Sequence, residues 1–153
     1  MERYSHEAFN VTGHVVNIPE QSKAITIIMA AWKAWFEEKQ GEHIVGKAHP
    51  SMHAVYYHYV HTENHAETGY DMLVGVMTEA DAVQTDETLT TITVPAQDYR
   101  YMTVEWGFPD SIWAAWGTIN ALSSEELPRT YGYDLEMYSE DGKTCTIAVS
   151  VKE

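Results

Sequence analysis

Apolar residues recur along this chain with two different periods, and the switches between them outline its elements. Residues 8–16 alternate as an extended strand. Asn17-Ile18-Pro19-Glu20 then reads as a helix start, with Asn17 as the cap and Glu20 three residues on. Ile25, Ile28, Met29, Trp32, Trp35 and Phe36 return at helical spacing, and Gly41 ends that helix. Two extended runs, Met52–Val60 and Tyr70–Thr78, flank the polar loop His61–Gly69.

The acidic stretch Ala80–Glu87 has no hydrophobic period and reads as a connection. After it the order of signals returns. Leu89–Val94 and Tyr99–Trp106 are predicted strands around a Pro95-Ala96-Gln97 turn. Pro109-Asp110-Ser111 opens a second helix with Ile112, Ala115, Trp116 and Ile119 on one face. Gly132–Tyr138 and Thr144–Val151 are strands, with Asp141-Gly142 as the hairpin turn between them.

Each half is thus strand, helix, strand, strand, with an extra strand leading into the second. Ala31-Trp32 and Ala115-Trp116 fall in equivalent helices. The expectation is a single α+β domain over residues 1–153, built from two duplicated βαββ halves at about 1–80 and 88–153. Such units merge into one curved antiparallel sheet with both helices on one face. The cleft between the helices is where a small-molecule site is expected.

Charge changes the picture next. Nine Lys plus Arg stand against 23 Asp plus Glu, a formal net charge of −14. That balance disfavours direct binding to nucleic acid and favours cations, although it also serves plain solubility. One cysteine, Cys145, excludes an internal disulfide framework and a cysteine-based zinc cluster. The N-terminal stretch carries no basic-then-apolar signal, and the most apolar run, Ala24–Phe36, is too short for a membrane span. A soluble cytoplasmic protein is expected.

With the order of elements in hand, the second half resembles the gyrase-inhibitor-like small-molecule-binding domain. The same domain is the effector-binding module of AraC-type and MerR-type multidrug regulators. The likeness rests on Val94-Pro95-Ala96-Gln97-Asp98-Tyr99 and the strand after it, on Gly107, on the helix bearing Ile112, Trp116 and Ile119, and on Leu135-Glu136-Met137-Tyr138. Tyr70 and Gly75 fit the family's looser N-terminal pattern. Leu135 stands where the family usually has Phe, and the last strand lacks the usual Ile-Pro. No helix-turn-helix is visible ahead of the domain, so a freestanding module is expected.

The resemblance makes Glu136 the pocket acid, facing a lipophilic cationic or aromatic ligand. A carboxylate among aromatic faces offers a desolvated cation both a countercharge and the rings' quadrupoles. Alternation alone leaves the orientation open. Leu135 and Met137 point one way, Glu136 and Tyr138 the other. Trp32 with Trp35, and Trp113 with Trp116, share helix faces that suit either a core or a ligand wall. Tyr57, Tyr59, Tyr101, Tyr131 and Tyr138 are further candidates for the wall, and Met72 and Met137 could supply adaptable lining.

Six of the eight histidines lie between His43 and His65, and His61 and His65 are four apart beside Glu63 and Glu67. On a helix that spacing could hold zinc or nickel; in a loop it reads as a solvated hairpin. No catalytic or cofactor motif is evident, and no cofactor is expected. The alternatives to a binding module are a protein partner, as for a gyrase inhibitor, and hydrolysis of small electrophiles by Glu136 with Tyr138 or Tyr101.

Overall fold

The computed structural model describes residues 1–107 and 110–152. Strands β1 (Glu2–His6) and β2 (Phe9–Ile18) lead through a 3-10 turn at Gln21–Lys23 into helix α1 (Ala24–Glu37). Strands β3 (Lys47–Val60) and β4 (Gly69–Thr78) follow. The second half repeats the order: β5 (Thr90–Val94), β6 (Gln97–Glu105), α2 (Asp110–Asn120), β7 (Asp134–Tyr138) and β8 (Thr144–Ser150). The fold is α+β, one curved antiparallel sheet with two helices.

The strand order is β1-β6-β8-β7-β3-β4-β2-β5. Replacing each strand by its counterpart in the other half reads the same order backwards. β3 and β7 form the centre, paired Ala54 to Glu136 and Tyr56 to Asp134. Each half's first strand is sewn onto the other half's second strand, β1 on β6 and β5 on β2.

Only Glu7 and Ala8 link β1 at one edge to β2 near the opposite edge, and only Pro95 and Ala96 link β5 to β6. Three Cα steps from strand end to strand start span at most about 11 Å, so the sheet must curl until its edges approach each other. The glycine pair Gly13 and Gly75, opposite one another on β2 and β4, permits the close approach this bend needs. A Cβ on Gly13 would sit 1.9 Å from the Val74 carbonyl oxygen.

Curling buries both faces. The face under the helices joins Ala54, Met72, Ile147 and Val149 to Trp32, Trp35, Ile112 and Ile119. The inner face packs on itself, with Val11, Val55, Leu73, Val94, Tyr99 and Leu135 in one cluster that no helix covers. Tyr4 stacks on Tyr99 at 5.0 Å between ring centres, and Tyr57 stacks on Tyr133 at 5.5 Å.

Three local expectations are corrected. Strand β1 was not expected, because Tyr4 is its one large apolar residue among Glu2, Arg3, Ser5 and His6. Asn17 does not cap α1. It lies in β2, where its side-chain amide donates to Asp71 Oδ1 at 2.9 Å, and the chain enters α1 through the 3-10 turn. α1 ends at Glu37, two residues before Lys39 turns left-handed at φ 52°. Gly41 instead lets the chain pass Trp35, whose ring a Cβ there would meet at 2.9 Å. Pro109, expected at the start of α2, lies outside the described residues. Among the described residues no helix is long and apolar enough to cross a membrane.

Candidate ligand-binding site

A cavity of about 310 Å3 opens between α1 and α2, over the central β3–β7 pair. That volume lies within the range of small-molecule pockets. Glu136 forms part of its floor. Since Glu136 and Tyr138 share a strand face with Asp134, all three point under the helices, and Leu135 and Met137 join the inner cluster. Ala54, directly across from Glu136, leaves room beside the carboxylate.

Glu136 is 2% exposed. Its Oε2 accepts from the Trp116 indole Nε1 at 2.6 Å and from the Tyr56 hydroxyl at 3.0 Å. Its Oε1 accepts from the Tyr138 hydroxyl at 2.6 Å. All three donors are neutral, and among the described residues no basic group pairs with it. Burial holds the Glu136 carboxyl above the ordinary glutamate value, against the pull of the bonds from Tyr138, Trp116 and Tyr56. Burial and the nearby Glu136 charge push the Tyr56 and Tyr138 phenols up, so both remain protonated donors at neutral pH. A carboxylate accepts about four hydrogen bonds. Three are taken, and Oε1 has the spare capacity.

One strand position pair away lies a second buried acid, Asp134. It is 0% exposed and accepts from Arg129 Nη2 at 2.6 Å and Tyr59 at 2.7 Å through Oδ2. Its Oδ1 accepts from the Ser150 backbone N–H at 2.9 Å and the Ser150 hydroxyl at 3.3 Å. Burial is the largest single influence and pulls the Arg129 guanidinium down, but Asp134, Tyr59 and Tyr131 together outweigh it and the net shift is upward. The guanidinium also sits over the Tyr131 ring at 4.5 Å and the Trp116 ring at 6.0 Å.

Of the residues expected at the site, Glu136, Trp32, Trp113, Trp116, Tyr59, Tyr131 and Tyr138 line the cavity. Four do not. Trp35 is buried on the far side of α1 against Gly41. Met72 is packed beneath the sheet's helical face and does not reach the cavity. Tyr57 and Tyr101 lie on the inner face of the sheet, with the Tyr101 hydroxyl donating to Glu2. Tyr57 follows Val55 to the inner face by plain alternation, and a bulge after it parts it from Tyr59. The β3–β4 register shifts between Tyr57 and Val60, and His58 has φ 56°. The extra residue turns Tyr56 and Tyr59 to the same face and leaves Tyr57 on the other.

Reasoning from sequence therefore missed Tyr56 and also Tyr70, which meets Tyr56 edge-on at 5.6 Å and lines the cavity. It missed Arg129 and Asp134 as well. His65 borders the cavity from the β3–β4 loop, while His61 lies 3.9 Å from Glu63. Among the described residues no three His, Cys, Asp or Glu side chains converge as a metal site.

The sequence profile of the integron-associated effector-binding proteins (Cass2) matches residues 5–151. The chain belongs to that family. An effector-binding protein is a small-molecule-binding module, and the open cavity between the helices of this family member is of a size that suits such a role. The fold is shared with the integron cassette protein VCH_CASS2 of Vibrio cholerae, at 17% identity and a TM-score of 0.73, over 99% of this chain and 95% of that one. SAV2435, solved bound to tetraphenylphosphonium, aligns at 10% identity and a TM-score of 0.73, over 99% and 93% of the two chains. The C-terminal domain of EcmrR aligns at 14% identity and 0.60, over 99% and 96%. No curated protein is similar to this chain in sequence.

Proposed function

We propose that the cavity takes a small lipophilic cation, with Glu136 as its countercharge and the surrounding rings as its walls. The observation that carries this reading is a buried carboxylate held by three neutral donors and, among the described residues, by no cation. An unpaired buried charge is costly, and a desolvated cation arriving in the cavity supplies what the fold withholds. Trp32, Tyr56, Trp113 and Trp116 give the ligand aromatic faces, each contributing about 0.5–2 kcal/mol to a cation placed over it. Micromolar affinity needs about 8 kcal/mol, which several rings with apolar burial can provide. The fold shared with SAV2435, itself solved with tetraphenylphosphonium, supports the same ligand class.

The test is tryptophan fluorescence on titration with tetraphenylphosphonium, beside neutral triphenylphosphine oxide, on the natural protein and on Glu136→Gln. Saturable quenching by the cation is expected, at least about tenfold weaker for the neutral compound and for the variant. Equal affinity of Glu136→Gln for the cation, with an unchanged melting curve, would sink the proposal.

A further inference from the structure

The cavity wall carries a fixed cation as well as a fixed anion. Arg129 lines the cavity, and its side chain is only 9% exposed. A guanidinium has five N–H donors. Nη2 donates to Asp134 and Nη1 to Asn120 Oδ1 at 2.9 Å. Nε is buried and has no hydrogen-bond partner among the described residues. Nε is sealed from the cavity, but Nη1 and Nη2 each carry a second hydrogen, and on a side chain that lines the cavity these can donate to an acceptor that enters beside it.

The position of those donors relative to Glu136 is set by one side chain. Trp116 gives its Nε1 hydrogen to Glu136, and its ring lies 6.0 Å from the Arg129 guanidinium carbon. Anion and cation thus stand one indole apart on the same wall. Asp134 already neutralises Arg129, so the group offers N–H bonds more than net charge. Glu136 has no such neutralisation. The wall as a whole keeps one negative charge at Glu136 and a neutralised donor fork at Arg129.

From this arrangement we infer that the preferred ligand is a monocation bearing an uncharged hydrogen-bond acceptor, a carbonyl or ether oxygen, about one aromatic ring from its positive centre. The positive centre sits at Glu136 and the oxygen at Arg129. A carboxylate in place of the neutral oxygen brings no gain, because it would also face Asp134. The inference rests on the cation reading of the cavity and narrows it.

Three xanthylium dyes with the same cationic core separate the two. They are a rosamine with a bare pendant phenyl, the matching rhodamine methyl ester and the matching rhodamine free acid, each followed by fluorescence anisotropy. The ester is expected to bind about tenfold tighter than the rosamine, and the free acid no tighter than the ester. The ester-to-rosamine ratio should collapse toward one in the charge-balanced double variant Arg129→Gln with Asp134→Asn. It should also fall in Arg129→Lys, which keeps a charge against Asp134 without the planar fork. Circular dichroism on each variant shows that the fold is present. Equal binding of ester and rosamine by the natural protein overturns this inference and leaves the cation site standing. An undiminished ratio in a folded variant removes Arg129 from it, and failure of all three dyes to bind overturns both readings.

Discussion

Asp134 and Glu136 are two buried carboxylates two residues apart on one strand face, and the fold treats them in opposite ways. Asp134 receives a guanidinium, a phenol, a hydroxyl and a backbone N–H, and it is closed to further partners. Glu136 receives two phenols and an indole, all neutral, and keeps spare acceptor capacity at the cavity. The first arrangement knits β7 to β8 and to the segment around Arg129. The second leaves charge uncompensated where a ligand can reach it. The difference teaches that burial alone does not leave an acid uncompensated; the charge of its donors decides.

The largest effect is expected on the closed side. Arg129→Met leaves Asp134 buried without its cation, and a loss of about 3–5 kcal/mol of stability should appear in urea denaturation. Adding Asp134→Asn to that variant should recover most of the loss, since both charges are then gone. A single variant as stable as the natural protein would mean that Asp134 is not held by Arg129.

On the open side the sign reverses with pH. The Glu136 carboxyl lies above its ordinary 4.5, so between that value and its folded value the folded chain binds more protons than the unfolded chain. This group's contribution to stability therefore falls as pH rises through that window. Glu136→Gln should abolish that slope. Affinity for tetraphenylphosphonium should move the other way, weakening as pH falls through the same window, at higher pH than an exposed glutamate would give. Binding that persists unweakened below the ordinary value, with the fold intact, would break the comparison.

A smaller shift should follow from Trp116→Phe. The ring face stays and one donor to Glu136 goes, so the carboxyl rises further, because that bond holds it down. The pH midpoint of cation binding should move upward, with affinity at neutral pH weakened about threefold to tenfold. An unmoved midpoint would deny the bond its role. The smallest effect is expected at Tyr57→Phe, which changes only the inner face of the sheet. Dye affinity there should match the natural protein, and a measurable loss would mean that the two faces communicate.

Much of this layout was legible in the chain. Helical spacing brought Trp32 and Trp116 to matching positions on the two helices, and Asp141-Gly142 marked its hairpin. The doubled order of elements led to the curved sheet. What escaped had physical reasons. β1 is held by the ladder with β6 rather than by its own apolar content, so no pattern betrays it. The His58 bulge breaks the alternation after Tyr57, so Tyr59 shares a face with Tyr56 where an even period would pair it with Tyr57. Polarity could not decide the direction of Glu136, because a sheet curled on itself buries both faces and Leu135 needs no helix above it. Arg129 lies between elements, where there is no period to read, and its partner is defined only by the tertiary fold.

The exchange of first strands between the halves also has a mechanical consequence. The halves meet at three seams, β3 with β7 in the middle and β1 with β6 and β2 with β5 toward the edges. They are clasped like folded hands, and parting them would tear three hydrogen-bonded ladders at once. A guest too large for the resting cleft cannot widen it by spreading the sheet. The displacement falls to α1 and α2, which belong to none of these ladders.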